Sequence, residues 1–187
     1  MRLFVALEIP TVVRQNLAAL VDSLRAITKE PRWVRPENLH VTLKFLAEVA
    51  EGKLDRILGA LRAIRSEQQV TADFRGLGFF PDDKHPRVFW AGIEASSNLK
   101  TLAADIDSAV LEFGIAREKR AFSPHLTLAR IERPRLPEAL RAAITTNAHR
   151  EFGSLQTNEF CLIQSKLRPS GAEYTTLASF QFTAKLD

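Results

Sequence analysis

The sequence predicts an α+β fold of two lobes related by a pseudo-twofold axis, with antiparallel or mixed sheets flanked by helices and a site in the central cleft. Three observations carry that expectation. They are an internal repeat at an offset of 85 residues, an alternation of strand-like and helix-like segments in both repeats, and a His-x-Thr pair that recurs at the same offset. The 187 residues suit one domain of ordinary size. It is expected over residues 1–187 as two lobes, with approximate halves 1–84 and 85–187.

Sliding the chain by 85 positions lays Arg2 on Arg87, Phe4 on Phe89 and Ala6 on Ala91. It lays Leu17-Ala18-Ala19 on Leu102-Ala103-Ala104, and Asp22-Ser23 on Asp107-Ser108. These eight identities fall within the 22 positions from 2 to 23, well above chance for unrelated segments.

The elements follow in order. Residues 2–9 and 87–94 are short apolar runs rich in β-branched and aromatic residues, and read as strands. Each leads into a helix, over residues 12–27 with Leu17, Leu20, Val21 and Leu24 at helical spacing, and over residues 97–113 with Leu99, Leu102, Ile106 and Val110. Ser96-Ser97 is the capping signal of the second helix. Residues 39–46 and 124–131 read as strands, 52–64 and 137–146 as helices, and 70–80 and 155–164 as further strands. Residues 174–185 form a closing strand, and Phe80 to Pro86 is the turn between the halves.

Composition narrows the functional classes. Apolar residues are 45% and charged residues 26%, a globular balance. No apolar run approaches the roughly 20 residues of a membrane-spanning helix. The apolar start is stopped by Glu8 and Pro10, with no small-residue cleavage site after it, so it reads as a strand and the expected location is the cytoplasm. Cys161 stands alone, which leaves no disulfide framework and no thiolate metal cluster. The net charge of +4 permits an anionic partner without identifying one.

His40-Val41-Thr42-Leu43 and His125-Leu126-Thr127-Leu128 stand at the repeat offset. Side chains two apart on a strand share a face, so each motif places an imidazole beside a hydroxyl and sends its apolar residues the other way. On the first strand's polar face the next residues would be Lys44 and then Leu46. One such pair is weak evidence, because a lone histidine is more often a satisfied core residue; two in register are strong. A metal site would need a third ligand in phase, and none is near either motif. A Ser-His-Asp triad lacks its nucleophile elbow.

Around these motifs the chain resembles the 2H phosphoesterase superfamily, and within it the bacterial and archaeal RNA 2′,3′-cyclic phosphodiesterases first described as 2′–5′ RNA ligases. The likeness lies in the start Met1 to Ala6, in Arg32 to Leu46, in Gly76 to Pro81, in Pro86 to Trp90, in Phe122 to Arg130, and in Gln164 to Leu167 with Gly171 to Tyr174. The departure is Ala47, where family members usually carry glycine.

The resemblance implies a metal-independent, cofactor-free enzyme acting on RNA or oligonucleotides with a 2′,3′-cyclic phosphate end and yielding a 2′-phosphate. It implies His125 as proton acceptor, His40 as proton donor, and Thr42, Thr127 and Arg130 as substrate-binding residues. Two imidazoles suit that chemistry, since one is neutral and one protonated near neutral pH. In an unbroken strand Arg130 would face away from His125; a bulge could turn it inward. The same pair of histidines could join RNA ends, and a module that binds such ends without turnover is the alternative of another class. His85 reads as solvated, and His149 follows a helix, at the negative end of its dipole; Trp33, Phe45 and Trp90 could stack on a base but read as core aromatics, and Arg32, Arg35, Arg117, Lys119 and Arg120 read as solvated charges that could guide RNA. A monomer is the default.

Overall fold

Strand β1 (Arg2–Glu8) opens the chain and α1 (Thr11–Ile27) follows it. After them come β2 (Arg32–Trp33), β3 (His40–Glu48), α2 (Leu54–Arg62), β4 (Val70–Phe80) and β5 (Val88–Ala95). The remainder is α3 (Asn98–Ala109), β6 (His125–Arg130), α4 (Glu138–Thr146), β7 (Glu151–Thr157), β8 (Glu159–Arg168) and β9 (Gly171–Gln181). The computed structural model describes residues 1–66, 68–133, 135–169 and 171–182.

The strands form two antiparallel sheets, ordered β3-β1-β8-β9 and β2-β6-β5-β4-β7. The fold is therefore α+β in two layers of sheet and helix, as expected. The lobes, however, are not residues 1–84 and 85–187. β8 and β9 join β1 and β3, while β2 and β4 join strands of the second half. This exchange gives β1 and β5 a partner on both sides, where a self-contained half would leave a row of unpaired backbone groups.

The repeat is also one residue shorter in its first strand than the identities suggest. Glu8 pairs with His40 and Gly92 pairs with His125, so these strands correspond at 84 positions while the histidines correspond at 85. Phe4 and Phe89 are consequently on opposite kinds of face. A slip of one residue inverts every side chain of a strand: Phe89 enters the main core, whereas Phe4 joins a small cluster with Ala6, Cys161 and Ile163.

One core runs through both lobes. It takes Val13, Leu17, Leu20, Val21 and Leu24 from α1, Val41 and Leu43 from β3, and Leu126 and Leu128 from β6. Helix α1 reaches the second sheet, where Asn16 Nδ2 donates to the Phe152 carbonyl at 2.9 Å. None of the four helices has a side-chain hydrogen bond capping its N-terminus, so packing of their apolar stripes holds them. The Ser96 hydroxyl, read above as part of a capping signal, instead accepts from the Thr71 N–H at 3.0 Å and ties α3 to β4. The expected strand over 155–164 is two strands, β7 and β8, turning at Asn158. The turn has no Gly or Pro to announce it; the Thr157 hydroxyl accepts from the Glu159 N–H at 3.2 Å instead. The expected closing strand is β9, and residues 183–185 lie outside the described residues.

Candidate active site

His40 and His125 are the first residues of β3 and β6. Residues of these two strands come within 8 Å of each other, Cα to Cα. Val41 and Leu43, and likewise Leu126 and Leu128, point into the shared core, so the His and Thr side chains occupy the opposite faces. All four are half-buried. The Val34 N–H, just ahead of the first motif, donates to the Leu128 carbonyl of the second at 2.8 Å.

Beyond each threonine the strand is bulged at equivalent positions. Ala6 pairs with Thr42 and Val5 with Lys44, which leaves Leu43 unpaired; Trp90 pairs with Thr127 and Phe89 with Ala129, which leaves Leu128 unpaired. Each extra residue reverses the alternation. Arg130 is thereby returned to the face of His125 and Thr127, opposite Val88. The same inversion corrects the expectation for β3. Lys44 is buried at 7% exposure, and Phe45, expected in the core, stands on the face of His40 and Thr42 at 60% exposure. Leu46 is buried as well.

The imidazoles are held differently. His125 Nδ1 lies 2.8 Å from the Ser123 carbonyl. A carbonyl only accepts, so the bond places the proton on Nδ1 and leaves the Nε2 lone pair available to take another. His40 has the Asn38 carbonyl at the equivalent place, and its influence raises the imidazole pKa; yet the buried Nδ1 makes no hydrogen bond of standard geometry. Burial is the larger influence, and with the Arg14 charge it pushes His40 below the ordinary histidine value despite Asn38 and Glu8. The Thr42 and Thr127 hydroxyls make no hydrogen bond among the described residues, so both remain available as donors.

Aromatic rings surround both histidines. Phe4 and Tyr174 have centroids 6.2 and 5.8 Å from His40. Phe80 meets His125 edge-on, with centroids 4.9 Å apart, and lies tilted against Trp90 at 5.2 Å. Trp90 lies flat on Gly78, where a Cβ would come 2.3 Å from its ring. Trp33 packs edge-on against Phe89 in the core, as expected. His85 sits in an exposed turn near Asp82. The Cys161 thiol is buried, which pushes its pKa up and away from the reactive thiolate.

Sequence inspection missed the residues that position the motifs. Arg14 of α1 donates to the Pro36 carbonyl at 2.6 Å and holds the turn before His40. Asn38 Nδ2 donates to the Ala172 carbonyl of β9 at 2.8 Å. Lys44 pairs with Asp107 of α3 at 2.5 Å and donates to the Ala116 carbonyl at 2.7 Å. Asp107 also accepts from the Glu118 N–H at 3.1 Å, so the pair fastens the segment leading to β6. Asp107 matches Asp22 in the repeat, and Asn38 and Lys44 lie within the stretch of family likeness, but neither signal disclosed these bonds.

The family model of LigT-like phosphoesterases matches the chain twice, over residues 7–90 and 93–174. This chain is a LigT-like phosphoesterase. The double match falls on the duplication, one copy to each His-x-Thr strand. Relatives of this LigT-like phosphoesterase include the RNA 2′,3′-cyclic phosphodiesterase of Methanothermobacter thermautotrophicus, 34% identical over 96% of this chain and 98% of that one. That of Thermotoga maritima is 30% identical over 100% and 98%. A solved protein of Thermus thermophilus superposes with a TM-score of 0.79 at 32% identity, covering 100% of both chains. The crystal structure of Escherichia coli LigT complexed with 3′-AMP gives 0.75 at 27% identity over 97% and 98%. Among the described residues no three His, Cys, Asp or Glu side chains gather where they could hold a metal ion.

Proposed function

We propose that this enzyme hydrolyses 2′,3′-cyclic phosphate at RNA ends to a 2′-phosphate, by general acid–base catalysis between His40 and His125. The observation that carries it is the duplicated presentation: two strand-initial His-x-Thr pairs on neighbouring strands, each followed by a bulge at the same place. The RNA 2′,3′-cyclic phosphodiesterase relatives, aligned over nearly the whole chain, support the substrate.

In this reading Nε2 of His125 takes a proton from water as its oxygen bonds to phosphorus. The P–O3′ bond breaks, and His40 gives its proton to O3′. Thr42 and Thr127 donate to the non-bridging oxygens as their charge grows, and Arg130 balances that charge from the second lobe. His40 must be protonated to serve, although burial disfavours its charge. The anionic phosphate beside it restores the balance, because a neighbouring negative charge raises an imidazole pKa. One chain carries both motifs, so the monomer is taken as the working form and the cytoplasm as its setting. No helix among the described residues is long and apolar enough to cross a membrane.

The test is a short RNA with a 2′,3′-cyclic phosphate end, incubated with and without EDTA, its product ends identified by mass and phosphatase sensitivity. His40→Ala and His125→Ala should each lose on the order of 10²–10⁴ in rate, and EDTA should have no effect. Full activity in His125→Ala, or loss to EDTA restored by a divalent cation, would overturn the mechanism.

A further inference from the structure

Each motif histidine has a residue directly across the ladder from it, and the two lobes fill that place differently. Glu8 of β1 lies opposite His40, and Gly92 of β5 lies opposite His125. Residues directly opposite on an antiparallel pair turn their side chains to one face, with Cβ atoms about 5 Å apart. The Glu8 carboxylate therefore stands beside the His40 imidazole. It is steadied there by β9, whose Thr176 hydroxyl donates to Oε1 at 3.4 Å. Thr176 lies two residues past Tyr174, whose ring also meets His40.

The second lobe cannot copy this arrangement. A Cβ at Gly92 would come 2.6 Å from the Arg75 carbonyl oxygen, so β4 closes the place to any side chain. Glu94, next on the same face of β5, is drawn to the Arg75 guanidinium at 3.6 Å. Two lobes that share strand, bulge and motif thus differ in the charge placed beside the imidazole. From the elements packed against it, His40 is faced by Arg14 of α1, Glu8 of β1 and Tyr174 of β9. In the proposed site His125 and Arg130 of β6 join them. Of these groups Glu8 is the anion. A carboxylate favours the imidazolium, whereas burial and a guanidinium favour the neutral ring. Glu8 accordingly works against the burial and the Arg14 charge that push the His40 pKa down.

We infer that Glu8 is the positioning residue that differentiates the two histidines. Its carboxylate retains the proton on His40 and makes that ring the acid of the pair, while His125, opposite a glycine, is left as the base. The inference rests on the function proposed above and supplies a physical cause for its two roles. It also fixes a sign. Above the His40 titration, kcat/KM is limited by the fraction of acid still protonated; below it, that fraction is full. Removing the Glu8 charge releases the His40 proton at lower pH, so the rate falls above the titration and not below it.

The experiment follows the His40 imidazole signals of the free enzyme by NMR in wild type, Glu8→Gln and Glu8→Asp. It then measures kcat/KM for a short RNA ending in 2′,3′-cyclic phosphate, from well below the His40 titration up to pH 9. In Glu8→Gln the His40 signals should titrate at lower pH. Its kcat/KM at pH 9 should fall roughly three- to tenfold, the effect of a partly exposed charge about 5 Å away. Below the titration the rate should match wild type, and Glu8→Asp, which keeps the charge, should stay near wild type throughout. An unmoved His40 titration, or a loss equal at every pH, would overturn the inference and leave two-histidine hydrolysis standing. So would a gain below the titration with no loss above it, which would make His40 the base. Failure of wild type to open this RNA would remove the proposed function, and the inference with it.

Discussion

Replacing Asp107 by asparagine tests how the first motif strand is fastened to the segment leading into the second. Lys44 and Asp107 side chains are 6% and 12% exposed and 2.5 Å apart, so neither charge has water to fall back on. Removing one partner of such a pair leaves an uncompensated buried charge, which costs about 3–5 kcal/mol. Ala116 still accepts from Lys44 in the variant, so the lower end of that range, about 3 kcal/mol, is expected. For a chain of this size that corresponds to a fall in Tm of roughly 6–12 °C. Urea unfolding of wild type, Lys44→Met, Asp107→Leu and Lys44→Met/Asp107→Leu, measured beside Asp107→Asn, completes a double-mutant cycle. The double variant should be far more stable than the sum of the singles predicts, because it buries no unpaired charge. The pH dependence gives an independent check. Burial alone would raise the Asp107 pKa, but the Lys44 bond, the Glu118 N–H and the Arg117 charge outweigh it and hold the carboxyl below its ordinary value. Stability from a depressed carboxyl pKa is present above the unfolded value near pH 4 and is lost as pH falls through the folded one. Wild type should therefore lose stability below about pH 4 that Asp107→Asn does not. Single substitutions costing under about 0.5 kcal/mol and adding without coupling would refute the clamp.

Three further outcomes follow from the site and its supports. His40 is depressed by burial, so the unfolded chain takes up its proton first as pH falls below about 6.5. Urea unfolding at pH 7.5 and 5.5 should show a larger acid-side loss in wild type than in His40→Gln; equal losses would contradict a neutral buried imidazole. Ala47 has φ 57°, in the left-handed region, so Ala47→Gly should raise stability by about 0.5–1 kcal/mol by relieving strain, measured as a higher urea midpoint. A lower midpoint would mean that the local structure does not strain alanine. Gly78→Ala would drive a methyl into the Trp90 ring; a loss of about 1–3 kcal/mol is expected, with altered Trp fluorescence, and an unchanged emission spectrum would show that the indole does not lie on Gly78.

The two histidines and their threonines were legible because they repeat at a fixed offset and because strand alternation is local. The core positions of α1 and α3 were legible for the same reason, at helical spacing. Lys44 and Phe45 were not, and Arg130 was reached only through the family resemblance, because alternation holds only while each residue has a partner across the ladder. A bulge is a property of two strands and leaves no mark in either one. The hairpin at Asn158 was missed because its turn is made by a threonine hydroxyl rather than by Gly or Pro. Ala47 was visible as a departure from the family pattern, but only its backbone angle gives the departure a physical meaning.

The amino-acid order alone determined the duplication, the alternation of strands and helices, and the two imidazole–hydroxyl pairs, since all three are written in short-range periodicity. The tertiary structure decided which strands exchange between sheets, where the repeat slips by one residue, and which side chains the bulges turn toward the site. Those features arise from pairing between segments distant in the chain. There the need to satisfy every backbone N–H and C=O, and to bury Lys44 only beside Asp107, outranks local preference.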